Sequence, residues 1–201
     1  MLLKPALRAT AVLAVVATLA APAAWAAPAP ESVPEPAATS LSAPVASAAD
    51  GLATSDLTGR ARLGYPVETE AVRVTVEAHA TFGPGSFPTR SWGTFRISHV
   101  IDGKDYWGDF AVDCLTTGGP TATVTGRLQR TSPGHPWREA LDAHTRMGLS
   151  FYVPRDGAGG PARVGLSGAT LKKQPLLTKC MSSAADMPVV EGGYTLGDRH
   201  V

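Results

Sequence analysis

Only two cysteines occur in the 201 residues, too few for a disulfide-dense miniprotein or for a zinc site built from four thiolates. Charge of either sign is scarce in excess: 18 Lys and Arg stand against 17 Asp and Glu. A nucleic-acid binder needs a basic surface to displace counterions, so that class is excluded. No uninterrupted apolar run reaches the ~20 residues of a spanning helix. The sequence also lacks H-x-x-x-H, H-E-x-x-H and any calcium loop of alternating Asp/Asn with a central Gly and a terminal Glu. A metal or other cofactor is therefore not expected. What remains is one ordinary domain, with room for a tail.

The first 26 residues read as a cleaved secretory signal. Lys4 and Arg8 give a positive start, Ala9 to Ala21 form a short apolar stretch, and Ala24-Trp25-Ala26 fits the small-x-small cleavage rule. The product is expected outside the cell. Losing Lys4 and Arg8 leaves 16 basic residues against 17 acidic ones, and with no cysteine before Cys114 a new N-terminal cysteine cannot carry a lipid. Residues 27–58 are rich in Ala, Pro, Ser and Thr, and Val33, Leu41, Val45, Leu52 and Leu57 follow no sustained period. Such a segment buries too little apolar area to offset its ordering entropy, and it is expected to be a disordered tail.

Residues 59–198 carry the signature of a single β domain. From Val72 to Phe82 apolar and polar residues alternate without a slip, the pattern of a strand with one wet and one buried face. Phe95, Ile97 and Ile101 share the next face. Tyr106, Phe110, Val112 and Cys114 follow, then Ala122, Val124 and Leu128, then Met147 to Val153, Val164 with Leu166, and Val189 to Leu196. Asp102-Gly103 is a strong signal for a two-residue hairpin turn, Gly118-Gly119-Pro120 serves the next turn, and residues 155–161 make a looser third. No helix of crossover length separates the strands, so the sheet is antiparallel. Long meandering strands coil, and closure removes sticky edges. The pattern thus predicts an all-β antiparallel meander closing into a small barrel, with a two-sheet sandwich as the alternative. One short helix is expected near 136–146, where Pro136 suits a first position and Trp137, Ala140, Leu141 and His144 fall at helical spacing.

In an exported chain an isolated cysteine pair is most simply a disulfide. A Cys114–Cys180 bond would tie the irregular stretch 167–188 to the sheet, and the 66-residue separation corresponds to ~4 kcal/mol in the chain-entropy model.

Catalytic signals are thin. Gly165-Leu166-Ser167-Gly168-Ala169 grazes the nucleophile elbow of serine hydrolases but has Ala at its fifth position and no helix to follow. Ser150 falls on the wet face of a strand. Asp105, Asp109 and Asp113 share a strand face, where carboxylates are more often solvated or paired with a residue such as Arg96 than bound to metal. No catalytic residue and no metal ligand is assigned. His99 shares the inward face of Phe95, Ile97 and Ile101, the place of a hydrogen-bonded core histidine. Trp92, Tyr106, Trp107, Trp137 and His99 are the candidate ligand-binding residues. Aromatic faces near a barrel mouth stack on sugars or clasp apolar molecules, although the same rings also finish small cores.

Residues 93–99, Val112-Asp113-Cys114-Leu115, residues 122–126, residues 132–139, Leu176-Leu177-Thr178-Lys179-Cys180 and Glu191-Gly192-Gly193-Tyr194 together resemble a family of exported actinobacterial proteins called repetin-like. The resemblance covers most of the folded part. It implies a secreted β domain and supplies no catalytic residues. The borrowed name suggests calcium, but no EF-hand loop occurs in this chain.

The expectation is a secreted, disulfide-linked β domain acting as a binding or surface-interaction module of unknown ligand, with a small apolar molecule or a glycan as the candidate partners and no transmembrane segment. The rival is an extracellular hydrolase or lyase with a His/Asp/Ser site on the barrel rim, and the sequence leans against an enzyme.

Overall fold

A computed structural model describes residues 52–155 and 159–199. The expected signal at 1–26, and the expected tail up to residue 51, lie outside the described residues. Eight strands follow in order: β1 Ala53–Leu63, β2 Ala71–Phe82, β3 Pro88–Ile101, β4 Lys104–Gly118, β5 Thr121–Thr131, β6 Arg146–Tyr152, β7 Arg163–Ser167 and β8 Met187–Arg199. Each pairs antiparallel with its neighbour in sequence, and β1 pairs with β8 from Thr54↔Arg199 to Leu63↔Val189. The meander therefore closes into a barrel, and the sandwich alternative falls away.

Alternation decides what lies inside. Val72, Val74, Val76, Ala78 and Ala80 of β2 are all buried, and Phe95 and Ile97 of β3 meet them in the core. Phe95 and Phe110 stack with ring centroids 4.6 Å apart. Gly126 makes room for them, since a Cβ there would lie 2.6 Å from the Phe95 ring. Asp102 (φ 49°) and Gly103 (φ 74°) form the two-residue turn between Ile101 and Lys104. Both take positive φ, as the turn that matches strand twist requires.

Three expectations change in detail. The sheet starts at Ala53, inside the stretch read as tail, and Leu57 is fully buried. The inward positions of β1 include Ser55, Gly59 and Ala61, too small and mixed to register as an apolar stripe. The helix α1 spans only Trp137–Ala140. Leu141 turns extended, Thr145 N–H closes a turn on the Asp142 carbonyl, and His144 adopts φ 59°, so helical spacing gives way to docking on the barrel. Finally, Cys114 is not on the Phe110 side. A bulge between Val112 and Cys114 sets Cys114 opposite Thr125 and gives the core position to Leu115. An extra residue in one strand resets its alternation.

The Cys114–Cys180 disulfide is formed, with Cα atoms 5.3 Å apart. It anchors a strap, residues 168–186, to the outer face of β5–β7. The Cys180 N–H donates to Thr125 Oγ1 at 3.2 Å, and Ser150 Oγ donates to the Ser183 carbonyl at 2.6 Å. A Cβ at Gly148 or Gly165 would collide with strap carbonyls, so only glycine lets the strap lie this close. Arg146 bridges the two layers, donating to Asp113 at 2.8 Å and to the Leu177 carbonyl at 2.6 Å. The strap also reinforces a thin part of the ring, because β7 and β8 pair at only two positions, Arg163↔Pro188 and Val164↔Met187.

Candidate functional site

The barrel has two unlike ends. At the end where β1 begins and β4 finishes, the interior is shut by polar groups. Ser55 and Thr117 hydroxyls meet at 2.8 Å, and the Asp198 carboxylate accepts from Thr117 at 2.9 Å and from Ser55 at 3.3 Å.

The opposite end carries the 64–70 loop, the Asp102-Gly103 turn and the 132–145 linker with α1. The linker is docked by Ser132, whose N–H donates to the Trp107 carbonyl at 2.8 Å and whose hydroxyl accepts from Trp107 N–H at 3.2 Å. That places Trp137 across the mouth, edge-on to Phe110 (6.1 Å) and above Gly108, where a Cβ would lie 2.7 Å from the indole. Beneath it is a cavity of about 460 Å³. Its walls are largely apolar and aromatic: Ile97, Ile101, Met147 and Met187 from the strands, with Tyr65, Tyr106 and Trp137 around them. The volume and lining are those of a small-molecule pocket.

Two histidines supply polarity on this wall. His99 Nε2 lies 2.5 Å from Glu70 Oε2, and its ring meets Tyr65 edge-on at 5.0 Å. The core histidine expected there thus has a carboxylate partner from the 64–70 loop. His135 Nδ1 accepts the Trp137 N–H at 3.0 Å, and its ring packs on Trp137 (4.4 Å) and Tyr106 (5.6 Å). Burial holds the His135 pKa below the ordinary histidine value.

Of the five candidate residues, His99, Tyr106 and Trp137 line this one cavity and two do not. Trp92 points outward, 39% exposed, stacked on His79 at 5.5 Å. Trp107 lies under the Arg96 guanidinium at 4.2 Å. Trp92 and Trp107 follow the outward alternation of their strands, whereas Tyr106 follows the inward one. Tyr65, His135 and Met187 were missed as lining residues, because they come from a loop, a linker and the first residue of β8. Their nearest sequence signal is the Pro136 that fixes the turn between His135 and Trp137.

The carboxylate row on β4 is engaged elsewhere. Asp109 accepts from Arg96 (2.5 Å) and Arg130 (2.8 Å), Asp105 from Ser98 (2.6 Å), and Asp113 from Thr125 and Arg146. The Arg96 hydrogen bond holds the Asp109 carboxyl below its usual range, and Asp109 in turn raises Arg96. A larger depression of about 610 Å³ surrounds this relay on the outer face. Four arginines and three carboxylates line it, whereas no Lys, Arg, Asp or Glu lines the end cavity. Among the described residues no group of three or more His, Cys, Asp or Glu converges, and no helix is long and apolar enough to cross a membrane. Ser150 and Ser167, the serines weighed for hydrolysis, bind the strap.

No family model matches the chain, and neither the curated proteins nor the solved structures yield a match.

Proposed function

We propose that this is an exported, disulfide-pinned barrel that holds one small, mostly apolar molecule in the cavity beneath Trp137. The observation that carries the reading is the cavity itself: about 460 Å³ of largely apolar, aromatic-walled space at one end of a barrel whose other end is closed by hydrogen bonds. Export is inferred from the signal-like first 26 residues and fits with the Cys114–Cys180 bond, which oxidising compartments favour. Nile red should brighten on binding, and Leu166→Trp, which fills the cavity, should abolish the response. Soluble glycans should not compete. No dye response, or a response unchanged by Leu166→Trp, would contradict the reading.

A second reading, an extracellular lyase, draws on the His99–Glu70 pair, a base held by a carboxylate beside apolar walls. It predicts that a bound ligand is recovered chemically changed. Recovery of every bound ligand intact would count against it.

A further inference from the structure

We infer that, granted an apolar ligand in the cavity, the site selects a neutral molecule bearing a carbonyl or similar hydrogen-bond acceptor, with His135 Nε2–H as the donor that holds it. The direction of that hydrogen bond is fixed by geometry. A backbone N–H can only donate, so the 3.0 Å contact from Trp137 N makes His135 Nδ1 an acceptor. The neutral ring then carries its proton on Nε2, so the ring nitrogen that Trp137 does not engage is a donor on a residue of the cavity lining. Tyrosine hydroxyls on the same wall can donate or accept, and so they do not discriminate.

The wall also argues against a charged ligand. No Lys or Arg lines the cavity. The other histidine, His99, is engaged by the Glu70 carboxylate at 2.5 Å. A carboxylate would enter largely apolar walls, and the neighbouring Lys104 ammonium is held over the Tyr106 ring (4.6 Å) and is not itself part of the lining; an unpaired charge in such a place is costly. Burial favours the neutral His135 ring as well, which keeps the donor uncharged near pH 7. Tyr65, Tyr106 and Trp137 add ring faces and edges, suited to a planar or cyclic skeleton.

The test uses the full-length protein and four beta-substituted naphthalenes, alike in skeleton and different in one group: ethyl, acetyl, carboxylate and aminomethyl. Each displaces Nile red. The acetyl compound should bind about fivefold more tightly than the ethyl one, as one added neutral hydrogen bond allows. The carboxylate and the ammonium should each bind at least roughly tenfold more weakly than the ethyl compound. His135→Phe should erase the acetyl preference, while His99→Phe should keep it. Should His135→Phe not fold, nitrogen NMR of the unaltered protein decides. The His135 Nε2 resonance should move with the acetyl compound and stay put with the ethyl one.

Failure separates cleanly. If no naphthalene binds, the cavity reading falls and this inference with it. If the ethyl compound binds but the acetyl compound gains nothing, or the carboxylate binds best, the neutral-acceptor inference alone is overturned. A preference that survives His135→Phe, or an Nε2 resonance blind to the acetyl group, overturns it too.

Discussion

The two ends of this barrel are built from the same strands and reach opposite outcomes. At the closed end Ser55, Thr117 and Asp198 hydrogen-bond to one another, beside core side chains that include Phe82 and Phe151. At the other end the linker lays Trp137 across the mouth as a roof instead of filling the space below. Small hydroxyls and a carboxylate can draw opposite walls together through short hydrogen bonds. Trp137 instead rests on Phe110 and Gly108 at the mouth and leaves the space beneath it open. Alternation places a residue inside; its shape decides whether the inside is filled.

Several perturbations act differently on the two ends, and the largest should act on neither. Replacing both Cys114 and Cys180 by alanine removes the bond that pins the strap outside β5–β7, and stability should fall by ~4 kcal/mol. Thermal unfolding would move down by roughly 8–16 °C. Nile red affinity at the cavity should change little, and its loss would mean that the strap shapes the cavity.

Overpacking draws the sharpest line between filled and empty interior. Val124 is fully buried between β4 and β6, so Val124→Phe should cost about 3 kcal/mol. Leu166→Phe adds bulk beside the cavity and should cost less than about 1.5 kcal/mol in a urea titration. Equal costs would mean that the cavity has no usable space.

At the closed end, Thr117→Val removes the hydrogen bonds to Ser55 and Asp198, for a loss of roughly 1–3 kcal/mol. Dye binding at the far end should not respond.

The smallest effect is a pH dependence. His135 has a folded pKa below its unfolded value because of burial, so folding favours the neutral ring. That contribution is complete above the ordinary histidine range near 6.5 and is lost as pH falls from there through the folded pKa. Melting temperatures followed from pH 7.5 toward pH 5 should decline, and His135→Phe should flatten part of that decline. A slope identical in the variant would show that other groups titrate.

The wall of the barrel was legible where its inner face is uniformly apolar. Val72 to Ala80 announce β2, and Asp102-Gly103 announces its hairpin, because period and turn chemistry are local. β1 was hidden by Ser55, Gly59 and Ala61, whose inward placement depends on partners more than ten residues away. The bulge at Cys114 was invisible, since one extra residue in a strand leaves no mark on composition. The disulfide could be read from the presence of only two cysteines in a chain expected to be exported. The cavity was half legible: inward parity placed His99 and Tyr106, and helical spacing flagged Trp137, but Tyr65, His135 and the Glu70 partner arrive from connections with no periodicity. Trp92 and Trp107 stand on the outward faces of β3 and β4, away from this cavity, and aromatic character alone does not tell one face from the other.

The account rests on one end being hollow and receptive while the other is sealed. Titrating isotope-labelled protein with the ethyl naphthalene and following backbone and side-chain resonances tests that directly. The account predicts shifts concentrated at Tyr65, His99, Tyr106, His135 and Trp137, with Ser55, Thr117 and Asp198 silent. Shifts at the Ser55 end, or no shifts anywhere at saturating ligand, would contradict it.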